Sequence, residues 1–297
     1  MRLRAAYGWC FSHALMELQD FQNLEFTGSI AGIQICQILN DKSPTTVGLF
    51  VKASTLELIG WEGEPPNYEH TFSSGAVEKG ILYKSPKMHI LATSPRFIEL
   101  RESKEIVGNY ESPEGRKQYL ELGDKATLRS FYMIYLLGKQ NQNLHKVPLV
   151  LSIHGVAAAK FGEAVNSFKV KMEIAYAQRF NCGYRSLNKR FHCLCTFNPT
   201  FKPSLEPPNG AKKSWVAIPE TIAMPSSQEL EKFICLEKSQ ELWGIAASAN
   251  GFANHILKTA DDETPPLLAP THRVPESLPP QTVETTALPV DEDEIPY

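Results

Sequence analysis

The sequence lacks the short motifs that identify the common enzyme classes. It has no Gly-x4-Gly-Lys-Ser/Thr phosphate loop, no His-Glu-x-x-His zinc motif, no Gly-x-Ser-x-Gly nucleophile turn and no glycine-rich dinucleotide fingerprint. The triplets Glu-x-Arg at 99–101 and Glu-x-Lys at 102–104 have the residue types of a magnesium-dependent nuclease, in which carboxylates hold the metal. Such triplets also arise by chance in charged strands. We therefore predict a protein that is not an enzyme and keep a nuclease as a minor alternative.

Long apolar runs are missing as well. No stretch is long and apolar enough to cross a membrane. The run over residues 5–16 is too short, and too interrupted by Ser12 and His13, to be typical of an export signal. We expect residues 1–19 to be an N-terminal extension, or the result of a misassigned start with Met16 as the true beginning. A cytoplasmic protein is therefore expected.

Cysteine is sparse, and its spacing fits no common zinc site. Without an export signal, scattered cysteines are typical of reduced, buried thiols rather than disulfides. Cys193 and Cys195 lie close to His192, but as alternate residues of a strand they are expected to be core thiols. We predict no metal and no cofactor. The six cysteines are Cys10, Cys36, Cys182, Cys193, Cys195 and Cys235.

The C-terminal region has few large apolar residues and almost no positive charge. Residues 259–297 hold nine acids and one base, Arg273, a net charge of −8. The preceding 258 residues carry 29 bases and 24 acids, a net charge of +5. Eight prolines interrupt the segment, which cannot bury enough apolar area to offset its ordering entropy. These features predict a disordered acidic tail over 259–297 that follows a globular domain over 20–258.

The tail ends in four carboxylates followed by Ile, Pro and an aromatic residue. This tip resembles the acidic-Ile-Pro-Phe peptide that ends bacterial single-stranded-DNA-binding proteins, with Tyr297 in place of Phe. In that family the tip docks in an apolar pocket that is ringed by cations on replication and repair enzymes. A solvated acidic terminus is the alternative. The residues expected to bind a partner are Asp291, Glu292, Asp293, Glu294, Ile295, Pro296 and Tyr297.

The globular part mixes strand and helix patterns, which predicts an α+β fold with a mixed or antiparallel sheet. Residues 128–137 are apolar on both faces and predict a central strand, and residues 144–153 alternate and complete a hairpin with it. Pro148 indicates that this second strand is an edge or bulged strand. Two long helices are expected, over 157–177 and from Ser226 towards Trp243, with a strand over 191–197 between them. An OB-like core is an alternative.

Three segments carry a second resemblance. They are residues 49–61, residues 80–88 and the run Gln140-Asn-Gln-Asn-Leu-His-Lys-Val-Pro-Leu149. Together they resemble an uncharacterised domain-of-unknown-function family from cyanobacteria, over about residues 20–200. The resemblance implies a bacterial cytoplasmic protein and supplies no activity.

Acidic residues are absent from residues 179–191, where four cations alternate with three aromatic rings. Single-stranded nucleic acid is bound by this combination, because cations follow the phosphates and rings stack on the bases. The alternative is an ordinary basic loop in which Phe180 and Phe191 anchor the core. The residues expected to contact nucleic acid are Arg179, Phe180, Tyr184, Arg185, Lys189, Arg190 and Phe191.

These observations favour a binding protein for single-stranded DNA or RNA whose acidic tip recruits replication, recombination or repair enzymes. The rival hypothesis is a protein-interaction adaptor that has no affinity for nucleic acid and uses the tail alone.

Overall fold

The computed structural model describes residues 34–72, 74–206, 213–249 and 251–253. The predicted N-terminal extension and the acidic tail with its tip lie outside these residues.

The described part of the chain has the predicted α+β fold. Its strands are β1 (Ile35–Leu39), β2 (Gly48–Lys52), β3 (Tyr68–Thr71), β4 (Val77–Tyr83), β5 (Lys87–Thr93), β6 (Phe97–Leu100), β7 (Ile106–Asn109), β8 (Ala126–Leu137), β9 (Leu149–His154), β10 (Thr196–Phe197), β11 (Pro199–Glu206) and β12 (Ser214–Ile222). Its α-helices are α1 (Ala53–Leu58), α2 (Pro113–Leu122), α3 (Gly155–Arg179), α4 (Lys189–His192) and α5 (Ser239–Ser248).

Ten strands join in one mixed sheet. Its main path runs β10-β5-β8-β9-β1-β2-β4-β3, and β6 and β7 extend it beside the first half of β8. The pair β1 and β9 is parallel, whereas the other pairs in this sheet are antiparallel. Strands β11 and β12 form a separate hairpin. Because the path stays open between β10 and β3, the OB-like alternative is not confirmed.

Strand β8 is the predicted central strand, and each of its faces enters a different hydrophobic core. Ile134 belongs to the core that includes Phe161 and Phe168 of α3. Met133, one residue earlier, belongs to a second core with Leu242 of α5. A strand covered on both faces reads as a continuous apolar run, which is why its sequence shows no alternation.

The hairpin of β8 and β9 is confirmed, but the edge position of its second strand is wrong. Strand β9 lies inside the sheet, between β8 and β1. A proline within a strand removes a ladder hydrogen bond and so favours an edge position. Pro148 has no such effect, because β9 begins one residue later, at Leu149. Leu149, Leu151 and Ile153 point together into the core beneath α3, as their alternation predicts.

Helix α3 contains the predicted helix and extends it by two residues at each end. Its apolar stripe packs against the sheet, with Phe161, Phe168 and Met172 buried. The helix stops at Arg179 because Asn181 adopts a left-handed conformation with φ of 47°, and the Cys182 N–H then donates to the Ala177 carbonyl at 2.9 Å.

Two predictions on the C-terminal side are wrong. The strand over 191–197 is only Thr196–Phe197, because Asn188 accepts a hydrogen bond from the Arg190 N–H and caps the short α4 instead. The helix expected from Ser226 to Trp243 is interrupted, because Ile234 pairs with Cys195 in a β-bridge. The chain is extended at Ile234, so α5 begins only at Ser239 and a single long helix, α3, stands where two were expected.

No α-helix in the described ranges is long and apolar enough to cross a membrane.

A candidate nucleic-acid interface after the long helix

The acid-free segment over residues 179–191, here called the basic loop, is a surface element. It begins at the last residue of α3 and ends at Phe191 in the single turn of α4. Residues 179–190 are exposed except for Leu187, which is half-buried. The loop therefore presents most of its side chains to solvent, as a polyanion interface requires.

The three aromatic rings of the loop have different surroundings. Phe180 is 62% exposed, and its ring is tilted at 45° against Tyr176, with ring centroids 4.7 Å apart. Tyr184 is 57% exposed. Phe191 is half-buried and packs against the core beneath α3. Phe180 and Tyr184 can therefore offer a ring face to a base, whereas Phe191 anchors the end of the loop.

The four cations are also held differently. Arg179 pairs with Glu231 at 3.1 Å, and both side chains are largely exposed. Arg185 is exposed and makes no ion pair with the described residues. Lys189 is exposed at the start of α4. The Arg190 guanidinium lies 4.3 Å from the ring centroid of Trp243.

Trp243 is a site residue that sequence reasoning missed. It comes from α5, and its indole N–H donates to the Arg190 carbonyl at 2.7 Å while its ring supports the Arg190 guanidinium. A guanidinium held over an indole ring keeps its other side available for bases and phosphates. The sequence shows only a tryptophan more than fifty residues away, so no local pattern could have found this contact.

Glu173 is the second residue that was missed, and it holds the loop from below. Its carboxylate is only 4% exposed. The Tyr184 hydroxyl donates to Oε2 at 2.8 Å, and the Leu187 N–H and the Ser186 hydroxyl donate to Oε1 at 2.9 and 3.2 Å. His192 Nε2 lies 3.0 Å from the same oxygen. Burial favours a higher pKa for Glu173, but these hydrogen bonds outweigh it and lower the pKa.

His192 acts as a neutral donor in this cluster. Its Nε2 faces two acceptors, Glu173 Oε1 and the Leu187 carbonyl, so this nitrogen carries the proton. Burial and the nearby Lys169 cation lower the pKa of His192, and the Glu173 carboxylate opposes them only in part. A neutral imidazole that donates to a carboxylate ties the end of α4 to α3 without adding charge to the loop.

Two residues of the nuclease alternative, Glu99 and Arg101, have structural partners. Glu99 is buried and forms an ion pair with Arg129 of β8, and the Arg101 Nε donates to the Ala126 carbonyl at 3.1 Å. Within the described ranges, no group of three or more His, Cys, Asp and Glu residues is placed to hold a metal ion. Two cavities, of about 400 and 160 Å³, are lined by no residue of the basic loop.

The Gln140–Leu149 run also has a structural role. The buried His145 accepts a hydrogen bond from the Leu136 N–H at Nε2, 2.8 Å away, and its Nδ1 donates to the Val147 carbonyl at 2.7 Å. Burial lowers the pKa of His145 to about 4. Both ring nitrogens are used to close the turn between β8 and β9, which leaves none for chemistry.

Comparison with known proteins gives one family and one relative. Residues 33–264 match the family described as "Domain of unknown function (DUF5895)". The chain is 24% identical over 148 residues to "Uncharacterized protein 254L" of Invertebrate iridescent virus 6. That alignment covers 47% of this chain and 42% of the viral protein, so the chain spans less than half of that relative. No solved structure matches the chain.

Proposed function

We propose that this chain, which belongs to the DUF5895 family of domains of unknown function, binds single-stranded nucleic acid through the basic loop. The observation that carries the proposal is the composition of an exposed surface. Phe180, Tyr184 and Arg185 are exposed, the Arg190 guanidinium lies over Trp243, and no acidic residue lies within the loop. The proposal assigns the protein to the cytoplasm, where scattered cysteines stay reduced.

The rings favour single strands over duplex. A base can stack on Phe180 or Tyr184 only when it is not already stacked and paired in a helix, and such stacking contributes about 1–3 kcal/mol per base. The cations supply affinity that does not depend on sequence, because every phosphate is equivalent to them. We therefore expect weak sequence preference and a strong dependence on salt.

The test is fluorescence anisotropy of labelled oligo(dT) with the full chain at about 50 and 200 mM salt. Steep weakening with salt supports the proposal, and an excess of unlabelled duplex should compete poorly. Replacing Arg185, Lys189 and Arg190 by alanine should weaken binding and reduce the salt slope by about 2, since each phosphate contact on a single strand contributes about 0.7.

A matched control removes the same charge elsewhere. Arg116, Lys117 and Lys125 are exposed on and after α2, which packs beside β7. Their triple alanine variant should bind nearly as tightly as the wild-type chain. Equal losses in the two triple variants would mean that net charge, and not the basic loop, carries the affinity. If the chain does not bind oligo(dT) at low salt, the adaptor hypothesis is favoured. If the oligonucleotide is degraded in the presence of Mg²⁺, the nuclease hypothesis is favoured.

We further propose that the tip Asp291–Tyr297 binds replication or repair enzymes, on its sequence alone. Ile295 and Tyr297 have the apolar surface to fill a pocket, and the four carboxylates before them complement a ring of cations. The test is direct binding of a synthetic peptide of residues 289–297 to a purified repair enzyme that binds acidic-Ile-Pro-Phe tips. A peptide with Tyr297→Ala is the control, and equal binding of both peptides would refute the docking of the ring.

A further inference from the structure

We infer that Glu173 is the positioning residue of the interface: its buried carboxylate fixes Tyr184 and the following backbone in the conformation that binds single strands. This inference rests on the proposed function. Glu173 itself is too buried to touch a ligand, so its effect has to pass through the loop residues that it holds.

The hydrogen bonds of Glu173 converge on one short stretch of the loop. Tyr184, Ser186 and Leu187 donate to it within 3.2 Å, and His192 adds a bond at 3.0 Å from the end of α4. Residues 182–188 belong to no helix or strand. The carboxylate therefore supplies the hydrogen bonds that regular structure supplies elsewhere in the fold.

Tyr184 links this cluster to the ligand surface. Its hydroxyl is tied to Glu173, while 57% of the residue remains exposed. The bond fixes the direction of the ring without covering it. Stacking on a ring that is already oriented avoids the entropy cost of ordering it during binding. If loss of Glu173 left the loop in its binding conformation for about a tenth of the time, the apparent affinity would fall about tenfold.

The negative charge of Glu173 and its hydrogen bonds to the loop should have opposite effects on affinity for nucleic acid. A carboxylate under a cationic loop repels phosphate, so removing its charge alone should tighten binding. Removing the hydrogen bonds by which it holds the loop should weaken binding. Glu173→Gln tests the two effects together, and Glu231→Gln is the matched control. Glu231 is an exposed carboxylate that pairs with Arg179 of the same loop, and it has no bond to Tyr184.

The experiment measures oligo(dT) affinity of the full chain, with urea unfolding to confirm that each variant is folded. We expect Glu173→Gln to weaken binding about five- to tenfold and Glu231→Gln to leave it equal or tighter. Tyr184→Phe keeps the ring and removes only the hydroxyl that donates to the buried Glu173 carboxylate, so it should weaken binding in the same direction by a smaller factor. In a Tyr184→Ala background, Glu173→Gln should have little further effect, because its main route to the ligand is gone.

Three results would overturn the inference: equal effects of the two glutamine variants, additive losses with Tyr184→Ala, or unchanged affinity of Tyr184→Phe. These results differ from failure of the proposed function. In that case the wild-type chain does not bind oligo(dT), or the Arg185, Lys189 and Arg190 triple variant binds like the wild-type chain. Should Glu173→Gln unfold, the Tyr184→Phe result decides the inference by itself.

Discussion

Two buried histidines should make the fold sensitive to mild acid. His145 and His89 are 2% and 0% exposed, and burial lowers the pKa of each from 6.5 to about 4. As the pH falls below 6.5, these histidines become protonated in the unfolded chain while they stay neutral in the fold. Protonation therefore stabilises the unfolded state and lowers the free energy of unfolding. Stability is lost between pH 6.5 and 4 and levels off below pH 4, where both states are protonated.

The magnitude follows from the two pKa values of each ring. Between pH 7 and pH 5, a histidine with pKa 6.5 unfolded and about 4 folded loses about 2 kcal/mol of stability by linkage. His145→Phe removes this titration. It retains a ring against Trp61, which now stacks on His145 with centroids 6.1 Å apart. It also leaves the Leu136 N–H and the Val147 carbonyl without their partner, at a cost of about 3 kcal/mol at pH 7.

The assay is urea unfolding at pH 7, 6 and 5, followed by tryptophan fluorescence. From pH 7 to pH 5 these two rings should together lower the wild-type free energy of unfolding by about 4 kcal/mol, and His145→Phe should remove about 2 kcal/mol of that loss. His89→Phe should remove a similar share, and the double variant should keep only the slope contributed by the other histidines whose pKa burial lowers, such as His154 and His192. A pH slope in His145→Phe equal to that of the wild-type chain would refute the reasoning, because it would mean that His145 does not resist protonation in the fold.

Three further predictions concern packing and the interface. Gly80→Ala should lower Tm by several degrees, because its Cβ would lie 2.2 Å from the Val51 carbonyl oxygen; an unchanged melting curve would contradict the close approach. Arg129→Met should lower the free energy of unfolding in urea by about 3–5 kcal/mol, because it leaves the buried Glu99 carboxylate without its ion-pair partner. Adding Glu99→Leu should recover most of that loss. Equal stability of the single and double variants would refute the pairing. Trp243→Ala should weaken oligo(dT) binding severalfold in anisotropy, with Trp243→Phe intermediate, and unchanged affinity would remove the indole from the interface.

The parts of the fold that could be predicted are those governed by local periodicity. The two-sided apolar run of β8 and the stripe of α3 each follow from one repeating pattern, and the structure places both as expected. The predictions that failed depend on partners far along the chain. Ile234 is extended because Cys195 pairs with it, and that pairing leaves no mark in the residues around Ser226.

The candidate site divides in the same way. Composition alone identifies the basic loop, because an acid-free run of cations and rings is a local property of the sequence. The residues that shape it are non-local: Glu173 lies on α3 beside Met172, where a helical pattern assigns a glutamate to solvent, and Trp243 reaches Arg190 from α5. Sequence reasoning can therefore find what such a surface is made of, but not what holds it in place.

His145 and Glu173 do similar work, and their difference separates a structural anchor from a functional one. Each is a buried polar side chain that satisfies the backbone of a non-periodic segment, the Val147 carbonyl in one case and the Leu187 N–H in the other. His145 ends in the interior, because the groups that it binds are backbone groups of β8 and of the turn that follows it. Glu173 instead holds a tyrosine by its hydroxyl and leaves more than half of that residue in solvent. A turn that only had to be closed would not need an exposed ring at the end of a buried carboxylate, since the loop could be stabilised with the ring turned inward. Under the proposed function, a base that stacks on Tyr184 accounts for this orientation, and the oligo(dT) affinity of Tyr184→Phe is the measurement that tests it.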